Sequence, residues 1–216
     1  MRVIVTRPRA QAETLAAALR ERDFEPVLFP VIEVEATDDE PIDVRDYDWV
    51  IVTSANGAAE LARRVDGRPA RIAAVGEATA AALAEHGLRV DFVPVVASQD
   101  GLLAEFPQPV GRALFVGAEG ARQTLAQRLP ADFRPVYRTR PANAGPPPSG
   151  DLVLLASASA ARAWGALRSR VPAITIGPQT TKAARTAGVD VVAEAKTQSV
   201  DGLVDSAAAW RASSRS

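Results

Sequence analysis

The sequence contains an internal repeat. Residues 48–56, Asp-Trp-Val-Ile-Val-Thr-Ser-Ala-Asn, reappear as residues 151–159, Asp-Leu-Val-Leu-Leu-Ala-Ser-Ala-Ser, and residues 75–79 reappear as residues 176–180. Single residues recur too: Gly87, Ser98 and Gly101 at Gly188, Ser199 and Gly202 (188 − 87, an offset of 101), and Asp23 and Phe24 at Asp132 and Phe133 (132 − 23, an offset of 109). A unit of about a hundred residues is much longer than a solenoid repeat. The repeat therefore predicts two lobes of similar fold, with a cleft between them as a place for a ligand.

The composition permits two modest hydrophobic cores and excludes several kinds of site. The chain has 216 residues, of which 47% are hydrophobic and 24% charged, with a net charge of −1. No basic stripe is present, so a nucleic-acid partner is not expected. With no cysteine and one histidine, His86, the chain is not expected to form disulfides, catalytic triads or multi-histidine metal sites. No signal-like segment follows Met1 and no apolar stretch has membrane-spanning length, which predicts a cytoplasmic protein without a membrane partner.

Short β-branched runs alternate with helical stretches in both copies. Residues 3–5 form an apolar run, and Ala12, Leu15, Ala16 and Leu19 then follow the spacing of one buried helix face. Strands that are apolar almost throughout and alternate with helices indicate parallel sheets covered on both faces. The sequence thus predicts an α/β protein with flavodoxin-like lobes.

Two stretches interrupt this pattern at the same place in each repeat. Residues 33–47 are rich in acidic residues, and residues 138–150 are rich in proline and glycine, which is typical of linkers. Because the linkers lie inside the repeats, each copy could give its first block to one lobe and its second block to the other. One complete lobe per copy would produce the same pattern, so the sequence leaves both arrangements open.

Small hydrogen-bonding residues stand at the ends of the predicted strands. The carboxyl ends of parallel strands form the edge where ligands bind, and helix N-termini at that edge favour an anion, particularly a polycarboxylate. The candidate contacts are Thr6, Arg7, Ser54, Gly76, Thr79, Gly117, Ser157, Ser159, Gly177 and Thr180. The alternative is that the hydroxyl-bearing residues cap helices, and the two roles are compatible, because a cap that faces the ligand still offers its hydroxyl.

Differences between the copies single out residues for function, because shared positions mostly report the common fold. Tyr137 corresponds to Leu28 at the offset of 109 (137 − 28) and lies at the end of a predicted strand. It is a candidate catalytic residue, although aromatic residues are also common in strands. His86 corresponds to Ala187 at a helix end, where a role in helix termination is favoured. Residues 117–122 lack the full pattern of a phosphate-binding loop, so no nucleotide site is predicted.

Five motifs, taken together in their order, resemble those of the uroporphyrinogen-III synthase family. They are Val-Thr-Arg-Pro (residues 5–8), Val-Thr-Ser-Ala-Asn (52–56), Val-Gly-Glu-Ala-Thr-Ala (75–80), Pro-Val-Tyr-Arg-Thr (135–139) and Ile-Gly-Pro-Gln-Thr-Thr (176–181). Each motif is weak alone, but the ordered combination is specific and spans almost the whole chain.

The resemblance implies an enzyme that removes water from the linear tetrapyrrole hydroxymethylbilane and closes the macrocycle with ring D inverted, which gives uroporphyrinogen III for haem and sirohaem biosynthesis. It implies a monomer with a small-molecule polycarboxylate substrate and no metal or organic cofactor. It also implies two lobes joined by two linker strands. In this arrangement, called lobe exchange below, each copy of the repeat gives its first block to one lobe and its second block to the other. Lobe 1 would then comprise residues 1–33 and 148–211, lobe 2 residues 44–139, the linkers residues 34–43 and 140–147, and a disordered tail residues 212–216.

The same resemblance assigns roles to individual residues. Tyr137 is the candidate for helping the hydroxyl group to leave, and Thr79, Thr180 and Arg122 are candidate substrate contacts. The strand-end motifs add Ala55, Asn56 and Ala158 to these contacts. One departure is Ala156, which stands where a hydroxyl-bearing residue often precedes the serine, so only backbone contact is expected there.

Two other kinds of protein share parts of this pattern. A non-catalytic bilobal binding protein for an anionic metabolite would show the same repeat and the same helix termini. A two-domain glycosyltransferase would also have two α/β lobes, but it needs a longer chain and a nucleotide-sugar site, which the sequence does not show.

Overall fold

Strands and helices alternate along the chain in the computed structural model, which describes residues 1–121 and 124–213. The strands are β1 (Arg2–Val5), β2 (Glu25–Leu28), β3 (Ile32–Ala36), β4 (Ile42–Asp43), β5 (Trp49–Val52), β6 (Val65–Asp66), β7 (Ile72–Ala74), β8 (Ala113–Ala118), β9 (Ala131–Pro141), β10 (Leu152–Leu155), β11 (Ala173–Thr175) and β12 (Val191–Glu194). The helices are α1 (Arg9–Arg20), α2 (Ala55–Arg64), α3 (Glu77–Glu85), α4 (Gln99–Glu105), α5 (Thr124–Arg128), α6 (Ala158–Ala166), α7 (Pro178–Thr186) and α8 (Val200–Ser213).

The strands form two larger sheets and one short pair. The first sheet has the order β12-β11-β10-β1-β2, and all its pairs are parallel. The second has the order β3-β9-β8-β5-β7, and the pairs from β9 to β7 are parallel. The short strands β4 and β6 pair with each other. The prediction of an α/β fold with parallel sheets is confirmed.

The first sheet is covered on both faces. Val3 and Val5 of β1 face a core cluster with α1 and α8, whereas Ile4 between them faces a second cluster with α6 and Trp164. Successive side chains of a strand point to opposite faces, so a strand buried on both sides must be apolar throughout. Each such Val or Ile side chain, fully buried, stabilises the fold by about 1.5–3 kcal/mol.

The second sheet follows the same rule. Val50 and Val52 of β5 lie in one cluster with α2 and α3, and Ile51 lies in another with Leu102 of α4 and Leu125 of α5. Its strands therefore bring their carboxyl ends to one edge, between helices on both faces.

By its internal contacts the chain divides into two compact units. Unit 1 comprises Met1–Glu33 and the chain from Thr139 onward, and unit 2 comprises Val34–Arg138. Both stretches predicted as linkers are partly strand, since β3 and β4 lie within residues 32–43 and β9 continues to Pro141. Helix α8 continues to Ser213, so the first two residues of the expected disordered tail are helical. Among the described residues, no helix is long and apolar enough to span a membrane.

Candidate functional site

The parallel strands of unit 2 bring several of the predicted site residues to one sheet edge. Ser54 follows β5, Gly76 follows β7, Gly117 lies near the end of β8, and Tyr137 is paired with Ala118 where β9 runs beside β8. The same edge carries the N-termini of α2 and α3. A group bound there would meet the positive ends of two helices.

Ser54 and Tyr137 are hydrogen-bonded to each other. The distance from Ser54 Oγ to Tyr137 Oη is 3.0 Å, and either hydroxyl can be the donor. Ser54 Oγ also accepts the backbone N–H of Gly57 at 3.0 Å, which makes Ser54 the N-cap of α2. Tyr137 is 8% exposed, so its ring is fixed by packing while its hydroxyl is tied to a helix start. The Tyr137 phenol, the Ser54 hydroxyl and the Gly57 N–H therefore form one chain of hydrogen bonds.

The first turn of α2 packs closely on the strand ends. A Cβ on Gly57 would lie 3.2 Å from Ser54 Oγ and 3.5 Å from the carbonyl oxygen of Val116, so a side chain would press on the capping hydroxyl. Ala55 is exposed, and Asn56 is partly buried and has a contact of its own. The glycine therefore lets the helix begin directly above the ends of β5 and β8.

A buried arginine holds the strand segment that precedes Tyr137. Arg64, 6% exposed, donates from Nη2 to the carbonyl oxygen of Val136 at 3.0 Å. Its Nη1 donates to Asp38 Oδ1 at 2.6 Å and to the Asp38 carbonyl at 2.8 Å. The backbone N–H of Thr37 donates to the same Val136 oxygen at 3.2 Å. The Thr37 hydroxyl lies 2.9 Å from the Pro135 carbonyl oxygen and 3.1 Å from Asp38 Oδ2, and it shares its one proton between them. These bonds connect three parts of unit 2, namely α2, β9 and the segment that follows β3.

Electrostatics favour the ionised form of Asp38. Burial acts to raise the pKa of its carboxyl group, but the hydrogen bonds from the Glu40 N–H and the Thr37 hydroxyl and the charges of Arg134 and Arg64 outweigh it, and the net pKa is lowered. Sequence reasoning missed this group, because Asp38 lies in an acidic stretch interpreted as a linker and Arg64 is 26 residues away.

The start of α3, at the same edge, has no side-chain cap. Gly76 precedes α3 with extended backbone, and a Cβ there would lie 2.8 Å from the Cβ of Ala97. Thr79, 5% exposed, donates its backbone N–H to the Gly76 carbonyl. A Cβ on Gly117 would lie 3.0 Å from the ring of Phe115. The glycines at this edge therefore allow close packing, and Thr79 is largely enclosed.

In unit 1 the residues after β1 are engaged within the protein. Thr6 is fully buried, and its hydroxyl donates to the Leu154 carbonyl at 2.7 Å, so this proton is used between the ends of β1 and β10. Arg7 is half-buried, and its Nη2 donates to Gln11 Oε1 at 3.2 Å. Burial lowers the pKa of the Arg7 guanidinium.

The second serine motif also forms a helix cap. Ser157 Oγ accepts the Ala160 N–H at 3.1 Å and lies 3.1 Å from Ser159 Oγ, and Ala158 begins α6. Gly177 precedes α7, and a Cβ there would lie 2.8 Å from Gln198 Cγ. Thr180, in the first turn of α7, is 4% exposed. The structure thus pairs Ser157 with Ser159, whereas Ser54 is paired with a tyrosine.

One polar network at this edge of unit 1 was not predicted. The hydroxyls of Thr175 and Thr181 lie 2.6 Å apart, and the Thr181 hydroxyl also bonds the Gly177 carbonyl and the carboxylate of Glu194. At the repeat offset of 101 these three side chains correspond to Ala74, Ala80 and Val93 (175 − 74). The comparison of copies that singled out Tyr137 would have found them.

Arg122 lies outside the residues that the structure describes. In the described part of the chain, no group of three or more histidine, cysteine, aspartate or glutamate side chains could hold a metal ion.

Comparison with known proteins assigns the family. A sequence model of the family described as Uroporphyrinogen-III synthase HemD matches residues 13–205, which is most of the chain. The chain belongs to the uroporphyrinogen-III synthase family. The resemblance of the five motifs is thereby confirmed, and a cyclising lyase of tetrapyrrole synthesis is favoured over a non-catalytic binding protein.

Individual relatives agree with this assignment. A uroporphyrinogen-III synthase of Synechococcus elongatus is 28% identical over 249 residues, which cover 96% of this chain and 94% of that protein. A protein of Methanocaldococcus jannaschii is 29% identical over 149 residues, and this match covers 64% of the chain and 62% of that relative's length. A crystal structure of a mutant uroporphyrinogen III synthase from Thermus thermophilus is 22% identical, with a TM-score of 0.64 and full coverage of both chains. At that identity the structural likeness shows the shared fold.

Proposed function

We propose that this protein converts hydroxymethylbilane to uroporphyrinogen III, with loss of water and inversion of ring D. The family match and the named relative support the reaction. The observation that carries the mechanism is the 3.0 Å hydrogen bond between Tyr137 Oη and Ser54 Oγ. It puts a phenolic donor beside a helix start, at the sheet edge where ligands of parallel sheets bind.

The first chemical step is departure of the hydroxyl group from the hydroxymethyl carbon as water. Tyr137 Oη gives its proton to the departing oxygen as the C–O bond breaks, and Ser54, donating to Tyr137 Oη, stabilises the phenolate until it takes up the pyrrole N–H proton released as the azafulvene forms. The Gly57 N–H bonded to Ser54 Oγ and the positive end of α2 act in the same direction. Proton donation from a positioned side chain typically contributes about 10²–10⁴-fold.

The second step decides which isomer is formed. Loss of the hydroxyl group gives an electrophilic azafulvene, which closes without inversion if it is left unguided. The protein must hold the chain so that attack comes from the substituted carbon of ring D, which is a problem of positioning. Within unit 2 the helix start at Gly76 presents backbone N–H groups that suit a carboxylate, and within unit 1 the helix starts at Ser157 and Gly177 do the same. The substrate contacts predicted from the sequence are proposed to position the substrate in this step. Thr6 would contact it through backbone atoms, because its hydroxyl donates to the Leu154 carbonyl.

The two units are proposed to be the two lobes of an internal duplication with lobe exchange. The two sheets share an order of four strands. The first has β11-β10-β1-β2, and the second, read from its other edge, has the corresponding strands β7-β5-β8-β9. Asp151 Oδ2 accepts the Arg2 N–H at 2.7 Å, and Asp48 Oδ2 accepts the Arg112 N–H at 2.8 Å. These matching bonds at the start of corresponding strands support a common, flavodoxin-like ancestor.

The test uses hydroxymethylbilane generated enzymatically and supplied to the protein with EDTA present. After oxidation, chromatography of the porphyrins is expected to show the type III isomer, since the proposed mechanism needs no metal. Type I alone, as in buffer without protein, would show that the proposed function is wrong. The protein is further proposed to act in the cytoplasm as a monomer without organic cofactor, and sedimentation velocity of the active protein tests the oligomeric state.

A further inference from the structure

Unit 1 contains a pocket beside α6, next to the Ser157–Ser159 helix start. Its volume is about 360 Å³, within the range of small-molecule sites. One wall is a face of α6, where Ser159, Arg162 and Ala163 stand at helical spacings of three and four residues. The opposite wall comprises Val31 and the end of β9 with Arg140, and the Ala142 N–H donates to the Val31 carbonyl at 2.9 Å.

The lining combines apolar surface with positive charge. Val31, Ala163 and Leu167 provide apolar side chains, and Arg140 and Arg162 provide two cations, whereas no carboxylate lines the pocket in the described part of the chain. Arg140 has a contact of its own, which leaves Arg162 as the cation available to a ligand. Among the described residues, none forms an ion pair or a hydrogen bond with the Arg162 side chain. An exposed guanidinium without a partner, at the rim of an apolar pocket, suits a carboxylate on a flat apolar ring.

The repeat provides independent support. Arg162 corresponds to Ala59 at the offset of the serine motifs, 103 residues (162 − 59), and Arg140 corresponds to Val31 at the offset of 109 (140 − 31). Neither cation is therefore needed by the fold that the copies share. Both occur in the copy that also carries Tyr137.

We infer that this pocket binds one carboxylated pyrrole ring of the substrate, with the ring against Val31, Ala163 and Leu167 and the carboxylate on Arg162. The inference rests on the proposed function for the identity of the ring. A substrate with several carboxylated pyrroles gives the pocket a ligand of matching size, shape and charge, and holding one ring in place would contribute to the positioning that the reaction needs.

Two measurements on the full chain test it. In a titration with pyrrole-2-carboxylate followed by ¹⁵N-HSQC spectra, the amide signals of Ala142, Ser159 and Ala163 are expected to shift, and unsubstituted pyrrole is expected to shift them less. Arg162→Ala should abolish these shifts. Arg185→Ala removes an exposed arginine at the end of α7 and should preserve them. In the cyclisation assay Arg162→Ala should raise KM about tenfold with little change in kcat, as the loss of one charged hydrogen bond predicts.

The outcomes separate this inference from the proposed function. Wild-type protein that yields only type I isomer removes the proposed function, whatever the titration shows. Type III synthesis together with an unchanged KM in Arg162→Ala overturns the pocket inference alone, and so does a titration in which the pocket amides do not respond. Arg162→Lys, which keeps the charge but loses the two-pronged geometry, should give an intermediate KM.

Discussion

Tyr137 differs from an ordinary strand aromatic in what its hydroxyl contacts. Its ring packs in the core cluster with Val50 and Val52, but Oη is bonded to the capping serine of α2. Tyr137→Phe keeps the ring and removes the donor. We expect a loss of turnover of roughly 10²-fold, about 2.7 kcal/mol of barrier, because positioning supplies much of the catalysis. The product should remain type III, and isomer analysis with initial rates measures both quantities.

The other tyrosine of the chain is a matched control. Tyr47 Oη donates to Asp132 Oδ2 at 2.8 Å in the same unit, so Tyr47→Phe also loses one hydroxyl and one hydrogen bond. That change should cost about 1 kcal/mol of stability and leave turnover intact. If folded Tyr137→Phe retains full turnover while Thr79→Ala or Thr180→Ala loses it, the proton donor must be another residue.

For individual residues, the sequence predicted roles that depend on neighbouring positions and missed contacts between residues far apart in the chain. Ser54 and Ser157 could be identified because strand-end serines before a helix have few other roles than capping and contact. The bond from Arg64 to the strand before Tyr137 joins residues 72 positions apart, and nothing in the local pattern of α2 indicates it. Thr6 stays a predicted substrate contact, and its hydroxyl donates to the Leu154 carbonyl because the parallel pairing of β1 with β10 brings that oxygen within reach.

At the level of helices and strands, Arg64 joins α2 to its neighbours. It bonds Asp38 in the segment after β3 and the Val136 carbonyl in β9. The Arg64 side chain is 2% exposed, so removing its counterion leaves a buried charge poorly compensated. We expect Asp38→Asn to lower the free energy of unfolding at pH 7 by about 2 kcal/mol, less than for a fully buried pair, because Glu60 remains 3.3 Å from Arg64 Nε. Urea denaturation measures it.

The pH dependence follows from the lowered pKa of Asp38. A carboxyl group whose pKa is lower in the folded state stabilises the fold above its unfolded pKa, and this contribution is lost as the pH falls through the folded value. The difference between wild type and Asp38→Asn should therefore shrink below about pH 4. Asp39→Asn is the control, because Asp39 is 87% exposed and pairs with Arg63 at the surface. Its effect should stay below about 1 kcal/mol at every pH, and equal effects of the two variants would refute a special role for Asp38.

Glycines at corresponding places in the two copies report tight packing between loops and helices. A Cβ on Gly101 would lie 2.1 Å from the Val96 carbonyl oxygen, and one on Gly202 would lie 2.2 Å from that of Thr197. Gly101→Ala should therefore destabilise the protein by about 1–3 kcal/mol, since backbone must move. Gly120→Ala, with nothing within 4 Å, should be near neutral in thermal melting. A Gly101→Ala protein as stable as Gly120→Ala would contradict the packing argument.

The elements with strong periodicity were predictable, and those at sheet margins were not. The core strands β1, β5, β8 and β10 are almost wholly apolar because both their faces are buried. β3 and β4 lie in acidic or proline-containing sequence, and they are strands because partners such as β9 and β6 are available. Strand formation there depends on tertiary pairing, which overrides local propensity.

For the whole molecule, the order of strands determines which fragments are complete. β8 lies between β9 and β5 in the second sheet, and β10 lies between β11 and β1 in the first. A cut near the middle of the chain, such as a fragment of residues 1–106, ends before both of these strands. It therefore leaves each sheet without an inner strand, although its length equals that of one repeat.

A fragment of residues 34–138 is expected to fold alone. It contains every member of the two core clusters of unit 2, and it also keeps the Asp38–Arg64 pair. A start at residue 44 would remove Ile42 from one cluster and Asp38 from the pair. We expect cooperative urea unfolding and well-dispersed amide signals for 34–138, and neither for 1–106, because a missing inner strand exposes unpaired backbone and apolar side chains on both sides. Cooperative folding of 1–106 beside a disordered 34–138 would overturn lobe exchange and favour one complete lobe per copy.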